Sequence, residues 1–86
     1  MELIVLSQTV CSGCEKLHNK LEELKEEMDF QYTEINIDEH PEAVQTYNIM
    51  STPVAILMDE QEEVTRVTGY SFEKEDDIEM LVEQLD

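Results

Sequence analysis

Residues 3–14, Leu3-Ile4-Val5-Leu6-Ser7-Gln8-Thr9-Val10-Cys11-Ser12-Gly13-Cys14, carry the chain from an apolar run through a short polar stretch into its only two cysteines. Four consecutive aliphatic residues bounded by Ser7-Gln8 fit a strand covered on both faces, as in a sheet with helices on either side. The cysteines stand where a helical pattern takes over. Two thiols separated by two residues in the first turn of a helix can close a small disulfide ring, and the unpaired amides there favour a thiolate on the first. Cys11 and Cys14 are therefore the candidate reaction centre, with Ser12 and Gly13 forming the link between them.

Downstream, Cys14, Leu17, Leu21, Leu24 and Met28 recur at intervals of three and four, with Glu22, Glu23, Lys25, Glu26 and Glu27 on the other faces. The pattern predicts an amphipathic helix beginning near Glu15. Residues 30–37 include Tyr32, Thr33, Ile35 and Ile37, which suit a pleated surface and predict a second strand ending at Asp38-Glu39. Pro41 suits a first helical position with His40 at the cap, and Ala43, Val44 and Tyr47 give a core face for about two turns before Asn48. Pro53 opens the run Val54-Ala55-Ile56-Leu57-Met58. Asp59-Glu60-Gln61-Glu62 then turns the chain into Val64-Thr65-Arg66-Val67-Thr68, an antiparallel hairpin. Gly69 ends that strand, Ser71 offers a cap, and Ile78, Leu81, Val82 and Leu85 mark the buried stripe of a last helix.

The order β-α-β-α-β-β-α defines an α/β fold with a mixed four-stranded sheet flanked by helices, its first βαβ unit parallel and right-handed. In open α/β sheets functional groups gather at the carboxyl ends of strands, and Cys11 lies just past the end of the first. At 86 residues the expectation is one domain spanning 1–86 and a monomer. No stretch approaches the roughly 18 consecutive apolar residues of a membrane span, and two cysteines do not make a secreted disulfide framework, so a cytoplasmic setting is expected. The formal net charge of −17, from 22 acidic and 5 basic residues, opposes nucleic acid and anionic lipid as partners. By itself this acidity describes solvated helical surfaces.

Taken in order, these elements resemble the thioredoxin superfamily, whose shared marks are a C-x-x-C at a helix start and a proline, cis in the family, beginning a later strand. Cys11-Ser12-Gly13-Cys14 and Thr52-Pro53 match them. Residues 4–11 resemble glutaredoxins, whereas Glu34-Ile35-Asn36-Ile37-Asp38-Glu39-His40-Pro41 and Tyr47-Asn48-Ile49 through Thr52-Pro53 resemble thioredoxins. The resemblance implies a thioredoxin fold and a dithiol-disulfide oxidoreductase. Such a protein reduces protein disulfides, binds no cofactor beyond its own redox-active Cys11–Cys14 disulfide, and is recycled by a flavin-dependent thioredoxin reductase. It implies Cys11 as nucleophile and Cys14 as resolving thiol, with Thr52, Pro53 and Gly69 lining the groove for an extended substrate segment. A glutathione-coupled glutaredoxin is the alternative enzyme. A non-catalytic thiol module that binds metal or senses redox state is the alternative class, with Cys11, Cys14, His18 and His40 as its ligand candidates. A closed zinc site normally shows a second tight ligand pair, so no metal is expected and both histidines read as ordinary helix residues.

Departures from the family pattern sharpen the question. Gln8 stands where glutaredoxins commonly have a basic residue, and Gly69 is single where they have paired glycines, which disfavours the anion glutathione. The chain has no tryptophan, and Val5 occupies the position of the thioredoxins' buried acid. Without that carboxylate, proton removal from Cys14 falls to water, a substrate group or a rearranged side chain. Glu15, in the same turn as the cysteines, opposes a thiolate at Cys11.

Overall fold

Leu3, Ile4, Val5 and Leu6 are all buried, and the strand they form, β1 (Glu2–Ser7), lies inside the sheet. The computed structural model describes residues 1–85. In it β1 pairs in parallel with β2 (Tyr32–Asn36) and antiparallel with β3 (Val54–Asp59). β4 (Glu62–Thr68) pairs antiparallel with β3, giving the strand order β2-β1-β3-β4. The two inner strands are the two continuous apolar runs of the sequence, and the two edge strands are the mixed ones. Sheet position follows from how many faces each strand must hide.

Alternation along the inner strands divides the core. Leu3, Val5, Ala55 and Leu57 face α1 (Ser12–Glu27) and α3 (Glu75–Glu83), packing on Leu17, Leu21, Leu24, Ile78, Leu81 and Val82. Ile4, Leu6, Val54 and Ile56 face the opposite side, against Ala43 and Ile49 at and beyond the short helix α2 (Ala43–Thr46). Full burial of each Leu or Ile contributes on the order of 1.5–3 kcal/mol before ordering costs. Lys20 on α1 reaches α3, with its ammonium 3.0 Å from Glu79 and 3.7 Å from Glu75. The hydrogen bond to Glu79 holds its pKa above the ordinary lysine value despite an opposing effect of burial.

Three local details differ from the sequence expectation. The second helix is one turn rather than two, because the chain around Pro41 closes with i to i−3 bonds: Ala43 N–H to His40, Val44 to Pro41 and Gln45 to Glu42. Only at Thr46 and Tyr47 do i to i−4 bonds appear. Asn48 then takes the left-handed conformation (φ 52°), and Ile49 N–H closes back onto the Val44 carbonyl. In the hairpin the turn is Glu60-Gln61, with Glu60 at φ 60°, and the register slips between Leu57 and Met58. Thr65 pairs with Leu57 and Glu63 with Met58, so Val64 is a bulge residue exposed to solvent. Ser71 precedes a 3₁₀ turn (Phe72–Lys74) that leads into α3, yet its side chain makes no cap hydrogen bond.

Leu57 is fully buried between β3 and the α1/α3 layer. Leu57→Ala is expected to cost about 2–5 kcal/mol, seen as a lowered urea midpoint with an unchanged denaturant slope.

Candidate active site

At the carboxyl end of β1 the chain turns through Gln8-Thr9-Val10, pinned by Thr9 N–H donating to Asp38 Oδ2 at 2.9 Å and Asn36 Nδ2 donating to Thr9 Oγ1 at 3.2 Å. Helix α1 begins at Ser12 rather than near Glu15, with Cys11 as its N-cap residue. Cys11 fills that position with sulfur where other helices use a hydroxyl or carboxylate: Cys14 N–H donates to Cys11 Sγ at 3.1 Å. Cys11 and Cys14 are joined as a disulfide with Cα atoms 5.2 Å apart. Cys11 is half-buried whereas Cys14 is buried beneath the first turn, so an approaching group meets Cys11 first.

The second wall of the site is the loop before β3. The Thr52–Pro53 peptide is cis, Pro53 is buried, and Thr52 Oγ1 lies 3.7 Å from Cys11 Sγ. The single hydroxyl hydrogen of Thr52 is directed to Gln8 Oε1 at the shorter distance of 2.6 Å. Gly69 N–H donates to the Pro53 carbonyl at 2.7 Å, which seats the third loop against the second. Gly69 has φ 77°, a conformation that costs other residues roughly 1–2 kcal/mol. At Gly13 a β-carbon would stand 3.2 Å from Pro53 Cδ, so a larger residue there requires the proline ring to give by a few tenths of an ångström. Cys11, Cys14, Ser12, Gly13, Thr52, Pro53 and Gly69 therefore meet at one edge of the sheet.

Three large apolar side chains of the connecting segments are bare: Val10, beside the disulfide, is 94% exposed, Met50 99%, and Phe72, next to Lys16 and Tyr70, 86%. Each comes from a different loop, after β1, before β3 and after β4. Tyr70 is half-buried against the α1/α3 core and Tyr47 against the α2 side, so Tyr47 is a packing residue as its helical position implied.

A recess of about 690 Å³ beside the disulfide is lined by Cys11, Cys14, Glu15, His18, Glu34 and Asn36, among others. Val5 is buried in the core below it, and its register partner on β2 is Glu34. His18 is about half exposed, as the helix pattern implied, but it is not idle: Nδ1 lies 3.3 Å from Glu34 Oε1 and 3.2 Å from Tyr32 Oη. Tyr32 donates its hydroxyl hydrogen to Glu22 at 2.9 Å. His40 stands apart, 3.5 Å from Glu42. Among the described residues no group of three or more His, Cys, Asp or Glu side chains is placed to hold a metal ion. Glu34 was not singled out from the sequence, and His18, an exposed helix residue as expected, gains two partners from β2. Two signals pointed to them: the spacing of His18 four residues after Cys14, and the placement of Tyr32, Glu34 and Asn36 on one face of a strand.

This architecture and dithiol site define a thioredoxin-superfamily redoxin. Residues 2–84 match the family model of the Glutaredoxin-like domain (DUF836), and the chain belongs to that family. It is 31% identical over 86 residues to the SPbeta prophage-derived thioredoxin-like protein YosR of Bacillus subtilis, the match covering 99% of both chains. It is 37% identical over 60 residues to a thioredoxin of Chlamydia caviae, a match covering 69% of this chain and 59% of the relative. Among solved structures, the thioredoxin pre-protein of Schistosoma mansoni superposes with a TM-score of 0.78 at 26% identity, covering 96% of this chain and 78% of that one. Plasmodium falciparum thioredoxin shares the fold with a TM-score of 0.81 at 17% identity, covering 99% and 85%. No helix among the described residues is long and apolar enough to cross a membrane.

Burial, the hydrogen bond to Glu22 and the charges of Glu22 and Glu34 all raise the Tyr32 pKa well above the ordinary phenol value. A raised phenol pKa favours the uncharged folded form, so its contribution to stability is complete below about pH 10 and is lost as pH rises toward the folded value. Stability of the wild type is expected to fall more steeply above about pH 10 than that of Tyr32→Phe, measured by urea unfolding on both sides of that pH.

Proposed function

We propose that this protein is a small thiol-disulfide oxidoreductase that reduces disulfides of other proteins, its reducing equivalents held in the Cys11/Cys14 pair and no other cofactor. The observation that carries this reading is the cap geometry. The Cys11 sulfur sits at the start of α1 with an amide donating to it, half-open to solvent, while Cys14 is covered directly behind it. The amide and the helix terminus stabilise negative charge on Cys11, which attacks a substrate disulfide and forms a mixed disulfide. Cys14 then attacks the Cys11 sulfur, releasing reduced substrate.

Substrate recognition follows from the same edge. The backbone at Thr52 and the Gly69 rim pair with an extended segment by strand addition, reading main chain more than side chain. The exposed Val10, Met50 and Phe72 supply apolar contact around it, as befits a protein client rather than a small polar thiol. A flavin-dependent thioredoxin reductase is the proposed electron donor, the cytoplasm the proposed compartment and a monomer the proposed working state. The family description makes glutathione coupling the second reading. Against it stand the departures at Gln8, whose amide is occupied by Thr52 and carries no charge, and at the single Gly69.

Two measurements test the proposal. Insulin reduction is expected with thioredoxin reductase and NADPH and to be weak with glutathione and glutathione reductase; a response to glutathione alone reverses the ranking. Cys11→Ser is expected to abolish turnover, and Cys14→Ser to accumulate mixed disulfides with substrate, visible as added mass.

A further inference from the structure

Ser7 is the one polar residue buried among the described residues, 3% exposed, and its hydroxyl donates to Glu34 Oε2 at 3.1 Å. The other carboxylate oxygen of Glu34 is 3.3 Å from His18 Nδ1. Hydrogen-bond bookkeeping assigns the imidazole tautomer. A carboxylate only accepts, and the one hydroxyl hydrogen of Tyr32 goes to Glu22, so His18 Nδ1 carries the proton and donates to both Glu34 and Tyr32. In the neutral ring Nε2 is then the acceptor nitrogen.

Cys14 and His18 stand four residues apart on α1, which stacks them on one helix face with β-carbons roughly 5–6 Å apart. Both line the recess beside the disulfide. Its other carboxylates are less suited to take a proton from Cys14. Glu34 meets Ser7 with one oxygen and His18 with the other, so its link toward Cys14 runs through the imidazole, and Glu15, next in sequence to Cys14, points away from it as adjacent helical residues do. The groups within hydrogen-bond distance of His18 are Glu34 and Tyr32 from β2, with Glu22 behind Tyr32, while Cys14 and Glu15 are its neighbours one turn back on its own helix.

We propose that His18 is the proton acceptor for Cys14 in the resolving step, with Glu34 and Ser7 as the positioning residues that fix its ring. The proposal rests on the oxidoreductase reading. The Cys14 S–H bond breaks, the proton passes to His18 Nε2, and the sulfur electron pair attacks the Cys11 sulfur of the mixed disulfide. The Cys11–Cys14 bond forms while the bond from Cys11 to the substrate sulfur breaks. That sulfur leaves with the electron pair and takes up the proton from the imidazolium. The substrate gains two electrons and the cysteine pair loses two. A buried Cys14 with an aliphatic Val5 behind it is in this way supplied with a base from its own helix.

The test mixes reduced protein with an aromatic disulfide that releases a coloured nitrothiobenzoate at each exchange. The first phase reports attack by Cys11 and the second resolution by Cys14. His18→Gln is expected to slow the second phase about tenfold or more at neutral pH and to remove the pH inflection that a single proton acceptor imposes. Glu34→Gln is expected to slow it by a smaller factor, whereas His40→Gln is the control outside the site. The side chains of His18 and Glu34 are 49% and 38% exposed, so neither substitution opens a cavity, and a matched thermal unfolding curve confirms the fold. A second phase in His18→Gln with the wild-type rate across pH overturns the proton-acceptor assignment alone, and an unchanged second phase in Glu34→Gln overturns the positioning role. Absence of the first phase in the wild type overturns the oxidoreductase reading itself.

Discussion

Burial of β1 on both faces is the constraint from which the rest of the molecule follows. Leu3 and Val5 require a helical layer on one side and Ile4 and Leu6 require cover on the other, so the strand must be central. A central strand with parallel and antiparallel neighbours brings the loops after β1, before β3 and after β4 to one edge. The disulfide, the cis Thr52–Pro53 peptide and Gly69 meet there because of the strand order, with no long-range salt bridge needed to gather them. A polar residue at position 3, 4 or 6 would strike the fold and the site together.

The site also depends on who satisfies the start of α1. Cys11 is at once the helix cap and the exposed sulfur, so the local need to pair the Cys14 amide and the placement of the reactive atom are one interaction. The Thr52 hydroxyl stands between two acceptors, Gln8 Oε1 and the Cys11 sulfur. With a single hydrogen to give, it links the proline loop to the loop after β1 in the disulfide state.

Much of this was legible in the chain. The two uninterrupted apolar runs named the inner strands, the three-and-four spacing named the α1 face, and Cys11, Cys14 and Pro53 stood out by residue type and place. What was not legible depends on register or on close-range geometry. The one-turn α2 arises because the His40 and Pro41 carbonyls are taken by i+3 amides, a choice the apolar pattern does not encode. The Val64 bulge is a register shift invisible in a run of strand-forming residues. Glu34 looked like one acid among 22 until β2 was laid beside β1 and set it opposite Val5, with Ser7 beneath it. His18 likewise reads as surface until its neighbours across the strand are known.

The distribution of basic residues has a consequence for how the molecule meets others. Four of its five cationic side chains are held within the fold. Lys20 straps α1 to α3, Lys25 pairs with Glu22, Arg66 reaches the carbonyls of Tyr47 and Asn48 at the end of α2, and Lys74 closes onto the Thr68 carbonyl. Positive charge is used largely as bracing, with the exposed Lys16 the exception, and the formal net charge of −17 sets the sign of the field at a distance. Two copies approaching one another repel over distances comparable to the Debye length, about 8 Å at physiological salt. Intermolecular disulfide exchange between copies is therefore expected to be slow at low ionic strength and to quicken as salt is added.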